Sequence, residues 1–206
     1  MRRTARALWP AAVAVVALGV VAEWAAYGFG PVRHWLPDLA VGWAFLGCGI
    51  VAWSRRPESR TGLLLAATGI AWFAGNFADS LVYLHRGPLV HCLIAYPIGR
   101  ARSNVERAAV TAAYLAALAL PVATREAATI ALGMLVFGVV AHGYRHAVGP
   151  ERRARVQAVQ AASAVGLVLA GGAAIRLAVP GGEANGAVLF AYEGTLSAVA
   201  VGLLIG

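Results

Sequence analysis

Charge is what this chain has least of: 13% of its 206 residues are Asp, Glu, Lys or Arg, about half the share found in a water-soluble domain. Lysine is absent, so all 17 basic residues are arginine. The only cysteines, Cys48 and Cys92, both lie inside apolar runs, which excludes a disulfide framework and reads as small buried packing residues. No Pro/Gly/Ser-rich linker or polar segment divides the chain, so a single domain over residues 1–206 is expected. The motifs of common chemistries are missing as well. His91 and Cys92 are adjacent and leave a helix in different directions, and no spacing matches a zinc or copper site. His91 cannot share a haem with His142 or His146, which lie at the other membrane surface. Ser163 and Ser197 have no histidine or lysine placed to activate them. The basic residues form short separate islands without the continuous basic face that nucleic acid requires. No catalytic residue, metal site, cofactor or nucleic-acid partner is expected.

What is present is apolar sequence, 60% of the chain, with a mean hydropathy of +0.72. A helix crossing a bilayer needs about 20 apolar residues, with a range of about 17 to 25. Eight stretches read as spans: 8–29, 36–53, 62–81, 82–98, 108–123, 127–144, 158–178 and 187–205. The opening "MRRTAR" before an apolar run resembles a secretory signal, but the chain continues as membrane sequence, so a retained first span is expected. The fold class is all-α, a polytopic transmembrane helix bundle of about eight spans.

Arginine sets the orientation. With the N-terminus inside and eight crossings, Arg2, Arg3, Arg6, Arg55, Arg56, Arg60, Arg100, Arg102, Arg107, Arg145, Arg152, Arg153 and Arg155 face the cytoplasm. Arg33, Arg86, Arg125 and Arg176 face outside, a split of 13 to 4 over the 17 arginines that follows the positive-inside rule. Gly87 and Pro88 interrupt the fourth span. If that span were re-entrant, the split would become 8 to 9 and the bias would vanish. Both termini are therefore expected in the cytoplasm, in a multi-pass protein of the plasma membrane. Gly166, Ala170 and Ala174 on the seventh span have the four-residue spacing that lets helix backbones approach.

Ionisable groups inside spans are costly and mark functional sites by default. Here they gather toward the outer ends, with the neutral amide Asn76 among them: Glu23, Asp38, Asn76, Asp79, His85, Arg86, His91, Arg176 and Glu193. Trp72, Asn76, Asp79 and Tyr83 fall on one face of a helix. These positions point to an outward-opening polar pocket whose ligand-sensing candidates are Glu23, Asn76, Asp79, His91, Arg176 and Glu193, with Arg176 paired to Glu193 or Glu23. The plainer alternative has the same groups at headgroup level, snorkelling or pairing with one another.

Three segments carry a resemblance: "DLAVGWAFLGCGIVAWSRRPESRTGLLLAATGIAWFAGNF" from Asp38, "YLHRGPLVHCLIAYPIGRARSNVERA" from Tyr83 and "YRHAVGPERRARVQA" from Tyr144. Together, and more weakly through "AVLFAYEGTLSAVAVGLL", they resemble the N-terminal membrane region of actinobacterial sensor histidine kinases. The most distinctive pieces are the Arg-Arg-Pro-Glu-Ser-Arg-Thr-Gly loop and the Ala-Tyr-Pro-x-Gly-Arg turn, with Ile98 where serine is expected. The resemblance implies a sensing or anchoring role in a two-component system, a homodimer, and a cytoplasmic kinase core and response regulator as partners. Neither a phosphoacceptor helix nor ATP-binding boxes occur here, so kinase activity belongs to a longer parent protein; the chain ends at "VGLLIG" within an apolar run, as a kinase cut before its signalling helix would. The other functional classes are a small transporter or channel component, which needs a polar track through the inner half, and a passive membrane anchor.

Overall fold

The computed structural model describes residues 2–179, 182 and 184–205, with backbone only for residues 2–8; the side chains of Arg2, Arg3 and Arg6 lie outside the described set. Among the described residues there are helices and no strands. They are α1 (Arg2–Tyr27), α2 (Val32–Arg55), α3 (Thr61–Ala74), α4 (Arg86–Ala95), α5 (Asn104–Leu118), α6 (Leu120–Ala123), α7 (Glu126–His146), α8 (Gly149–Ala178) and α9 (Asn185–Ile205), with a 3₁₀ turn at Asp79–Leu81.

Five of the helices are long and apolar enough to cross a membrane: Trp9–Tyr27 within α1, then α2, α7, α8 and α9. They present large apolar side chains outward, among them Trp9, Trp24, Met134, Leu167 and Phe190, as a chain surrounded by lipid requires. These five correspond to the first, second, sixth, seventh and eighth expected spans. The other three stretches form shorter helices, each for a local reason. At 62–81, α3 stops at Ala74 after 14 residues, about 21 Å of helix; Gly75 follows, and the Asn76 amide is drawn to two carboxylates on other helices. At 82–98, Gly87 and Pro88 do not interrupt α4 but sit in its first turn, where a missing N–H costs nothing. Pro97 ends α4 by holding Tyr96 extended, at ψ 142, because the α conformation is disfavoured before proline. At 108–123, α5 begins earlier, with Ser103 and Glu106 closing a reciprocal capping box, and ends before Pro121, which opens the short α6.

A continuous core runs through the bundle, with Phe45, Leu65, Phe73, Leu93, Ile94 and Leu196 among its most buried members. Its tightest seam lies between α2 and α3, which cross antiparallel with Gly49 opposite Gly62 and Gly42 opposite Gly69. A Cβ on Gly49 would sit 2.6 Å from the Ala66 nitrogen and 2.8 Å from the Gly62 oxygen. Small residues admit this approach. The expected seam on α8 is looser: a Cβ on Gly133 of α7 would lie 4.0 Å from the Gly166 Cα, while one on Gly166 itself would meet nothing within 4 Å.

Away from the α1–α2 connection, at the other end of the bundle, the two most distinctive sequence pieces lock together. The Ser59 and Thr61 hydroxyls both donate to the Pro97 carbonyl, at 2.9 and 2.7 Å, and the Arg60 N–H donates to Ile98 O at 2.9 Å. Gly99 has a φ of +74, and a Cβ there would lie 2.6 Å from the Arg60 and Thr61 backbones. Gly99→Ala is therefore expected to lose more stability than the about 1–2 kcal/mol of a left-handed alanine, read as a lower melting temperature of the purified chain in detergent. Nearby, Arg155 is flanked by Glu151 at 3.2 Å and Glu106 at 3.8 Å, and Arg102 reaches Glu151 at 2.9 Å, fastening α5 to α8.

Candidate functional site: a polar cavity at one end of the bundle

At the end formed by the C-termini of α1, α3 and α8 and the N-termini of α2, α4, α7 and α9, the helices splay around a cavity of about 800 Å³. Among the described residues every helix except α5 contributes to its wall, and its size falls within the range of small-molecule sites.

On one side sits an acidic group held by a single amide. Asn76 Nδ2 donates to Asp38 Oδ2 at 2.8 Å and to Glu23 Oε1 at 3.2 Å. Trp72 Nε1 donates to the Asp38 carbonyl at 3.1 Å, which fixes the start of α2 against the end of α3. Glu23 has no exposed surface, and its Oε2 is without a partner among the described residues. Glu193 is buried on α9.

In the middle, His85 is buried beside Trp72, ring centroids 4.7 Å apart, and bridges two elements. Its Nδ1 lies 2.9 Å from Val82 O and its Nε2 2.9 Å from Tyr192 Oη. A carbonyl only accepts, so Nδ1 carries a hydrogen, and in the neutral ring Nε2 receives the Tyr192 hydroxyl.

On the far side are two arginines. Arg176 and Glu126 form a fork, Nε to Oε1 at 2.6 Å and Nη2 to Oε2 at 2.8 Å. Both side chains are about one-third exposed, so the pair orients α8 on α7 more than it stabilises the fold. Arg86 lies 4.2 Å over the Tyr83 ring, and its Nη1 donates to Ala123 O and Thr129 Oγ1, each at 3.1 Å. Its Nε is buried and without a partner, and no carboxylate pairs with it among the described residues.

Of the six candidates from sequence, Asn76, Asp79 and Arg176 border the cavity, and Glu23 joins it through Asn76. Glu193 is buried but does not border it, and His91 turns edge-on to Tyr114 on α5, centroids 6.1 Å apart; the one-residue steps of a helix carry it to another face. The partner of Arg176 is Glu126, not Glu193 or Glu23, because α8 packs along α7 and brings the C-terminus of one to the N-terminus of the other. Trp72, Asn76, Asp79 and Tyr83 all border the cavity, although the helix that would have aligned them ends at Ala74; a turn and a 3₁₀ segment bring them together instead. Glu126 and Tyr192 were missed. Glu126 stands one residue outside its expected span, at the depth of Arg176, and that shared depth was the available signal. No group of three or more His, Cys, Asp or Glu side chains is arranged to hold a metal among the described residues.

No family model matches the chain, and no curated protein or solved structure does.

Proposed function

We propose that this chain is a membrane-embedded signal-input module, in which occupation of the polar cavity shifts helix packing and α9 carries the shift to the opposite membrane surface. The observation that carries the reading is the cavity itself, lined by eight of the nine helices among the described residues and bordered by Arg86, Asp38, Asp79 and the Arg176–Glu126 fork. A ligand held there changes the packing only insofar as it favours one arrangement over another, and a wall shared by so many helices lets one occupant contact several of them at once. α9 is suited to transmission because Tyr192 stands in the cavity wall while Leu203 O, near its other end, accepts the Tyr96 hydroxyl at 3.2 Å. Through Tyr96 the helix reaches the junction of the Arg-Arg-Pro-Glu-Ser-Arg-Thr-Gly loop with the Ala-Tyr-Pro-x-Gly-Arg turn, the two most distinctive pieces of the kinase resemblance. The partners on this reading are a cytoplasmic kinase core and response regulator, with the membrane region working as a homodimer. The apolar core beneath the cavity, Phe45, Leu65, Leu93 and Leu196, argues against a transport path.

The orientation belongs to the same proposal: eight crossings of the plasma membrane, both termini and the 13 arginines in the cytoplasm, and the cavity opening outside. Glu58 and Arg33 are both exposed, at opposite ends of α2. In intact cells a membrane-impermeant maleimide is expected to label Arg33→Cys and to label Glu58→Cys only after permeabilisation; the reverse pattern inverts the map and turns the cavity inward.

The functional test joins the chain after Ile205 to a dimerising histidine-kinase core and reads autophosphorylation in vesicles. Asn76→Ala and Asp79→Asn are expected to change the output about fivefold or more, the size of an ordinary coupling energy. Output unchanged across both variants, with the protein still folded, leaves a passive anchor.

A further inference from the structure

The cavity does not end at its polar wall. Thr129 and Leu169 also border a narrow space of about 40 Å³ inside the bundle, and both go on to border a groove of about 330 Å³ between α7 and α8. This groove is apolar, with Ile130, Met134, Phe137 and Leu167 along it, and it opens where Met134 and Leu167 are exposed. Its floor is made by two glycines. A Cβ on Gly133 would find only the Gly166 Cα, 4.0 Å away, and one on Gly166 would find nothing. The two backbones come close at these glycines, yet a Cβ on Gly166 would point into open space, and a channel beside an exposed apolar edge fits a chain that comes from outside the fold.

The polar end of the same path has an unmet requirement of the opposite kind. Arg86 is held by neutral acceptors, the Ala123 carbonyl and the Thr129 hydroxyl, and by the Tyr83 ring. Its Nε has no partner. Arg176, by contrast, is satisfied by Glu126. Asp38 and Asp79 border the cavity too, so an anion is placed at the Arg86 end beside Thr129, and Thr129 is where the polar and apolar spaces meet. Arg86 borders the cavity and no carboxylate pairs with it among the described residues, and a guanidinium so placed recognises a phosphate or carboxylate oxygen.

We propose that the cavity and the α7–α8 groove together bind a single-chain amphiphile with an anionic head group, the head on Arg86 and the chain running past Thr129 and Leu169 to Gly133 and Gly166. One narrow groove accommodates one chain. The inference rests on the reading of the cavity as a ligand site and names the class of ligand.

The test is native mass spectrometry of the purified chain released from a neutral detergent, with three probes: palmitoyl lysophosphatidic acid, the monoacylglycerol of the same chain, and inorganic phosphate. Lysophosphatidic acid is expected to bind one per chain, about tenfold more tightly than either of the others. Gly166→Leu places its side chain in the groove, where a Cβ meets nothing within 4 Å; it is expected to weaken lysophosphatidic acid about tenfold and to leave inorganic phosphate unchanged. Arg86→Gln is expected to remove the preference over monoacylglycerol. Equal binding of monoacylglycerol, or an unaltered affinity in Gly166→Leu, overturns the inference; if inorganic phosphate still binds through Arg86, the cavity survives as a ligand site and only the chain-binding part falls. Absence of binding by all three probes also overturns it, and the kinase-fusion readout of Asn76→Ala and Asp79→Asn then decides separately whether the cavity signals. Should Arg86→Gln fail to fold, Gly166→Leu alone decides.

Discussion

Gly49→Val is expected to prevent accumulation of the folded bundle, while Gly47→Val two residues earlier is tolerated. Both glycines lie in the middle of α2 and have the same intrinsic helix propensity, so local structure cannot separate them. Packing does. A Cβ on Gly47 has nothing within 4 Å, whereas one on Gly49 meets the Ala66 nitrogen at 2.6 Å, the Gly62 oxygen at 2.8 Å and the Ala66 Cα at 3.0 Å. All three are backbone atoms of α3, which cannot rotate aside as a side chain would. The two helices must separate, and with them Phe45, Leu46 and Leu65, which are buried near this interface. Overpacking of a core costs about 1–3 kcal/mol where side chains can adjust; here the cost is expected above that range, comparable to a large part of a domain's total stability of about 5–15 kcal/mol. Fluorescence-detected size-exclusion chromatography of the two variants reads the difference directly. A Gly49→Val protein that elutes and melts like the wild type would show that the α2–α3 seam is looser than its backbone contacts imply.

Asn76→Ala is the second large effect. One amide nitrogen serves Glu23 on α1 and Asp38 on α2, so removing it leaves two acceptors without their donor, one of them on a residue with no exposed surface. A buried polar group left unsatisfied costs about 1–3 kcal/mol, and two such groups are expected to lower the melting temperature sharply. The pairing predicts its own rescue. Prior replacement of Glu23 by Gln removes one of the two carboxyl groups and supplies an amide of its own, so Asn76→Ala should cost less in the Glu23→Gln background. The interaction energy in the double-mutant cycle is expected within the range of about 0.5–3 kcal/mol seen for residues in direct contact. Additive losses would mean that Asn76 acts on Asp38 alone.

Much of the site was legible in residue types and depth. Polar residues are so scarce in this chain that Asn76, Asp79 and Arg176 stand out, and each borders the cavity. On the third stretch Trp72, Asn76, Asp79 and Tyr83 all border the cavity, but the chain brings them there by a turn and a 3₁₀ segment and not on one helical face. Pair partners were not legible. Arg176 had several acids at its depth, and the choice of Glu126 depends on which helix lies beside α8. His91 was assigned by depth, and depth says nothing about which way a side chain leaves its helix. Glu193 shared the depth but faces into the packed interior.

Composition and the length of apolar runs were enough to establish helices that face lipid, because a backbone in hydrocarbon must satisfy its own hydrogen bonds and only helices or closed barrels do so. Glycines were where sequence stopped being informative. The spacing of small residues points to Gly166, yet a Cβ there would meet nothing within 4 Å, whereas one on Gly49 would strike the backbone of α3. The difference lies in what stands opposite, and only the packing of α2 on α3 and of α7 beside α8 supplies that.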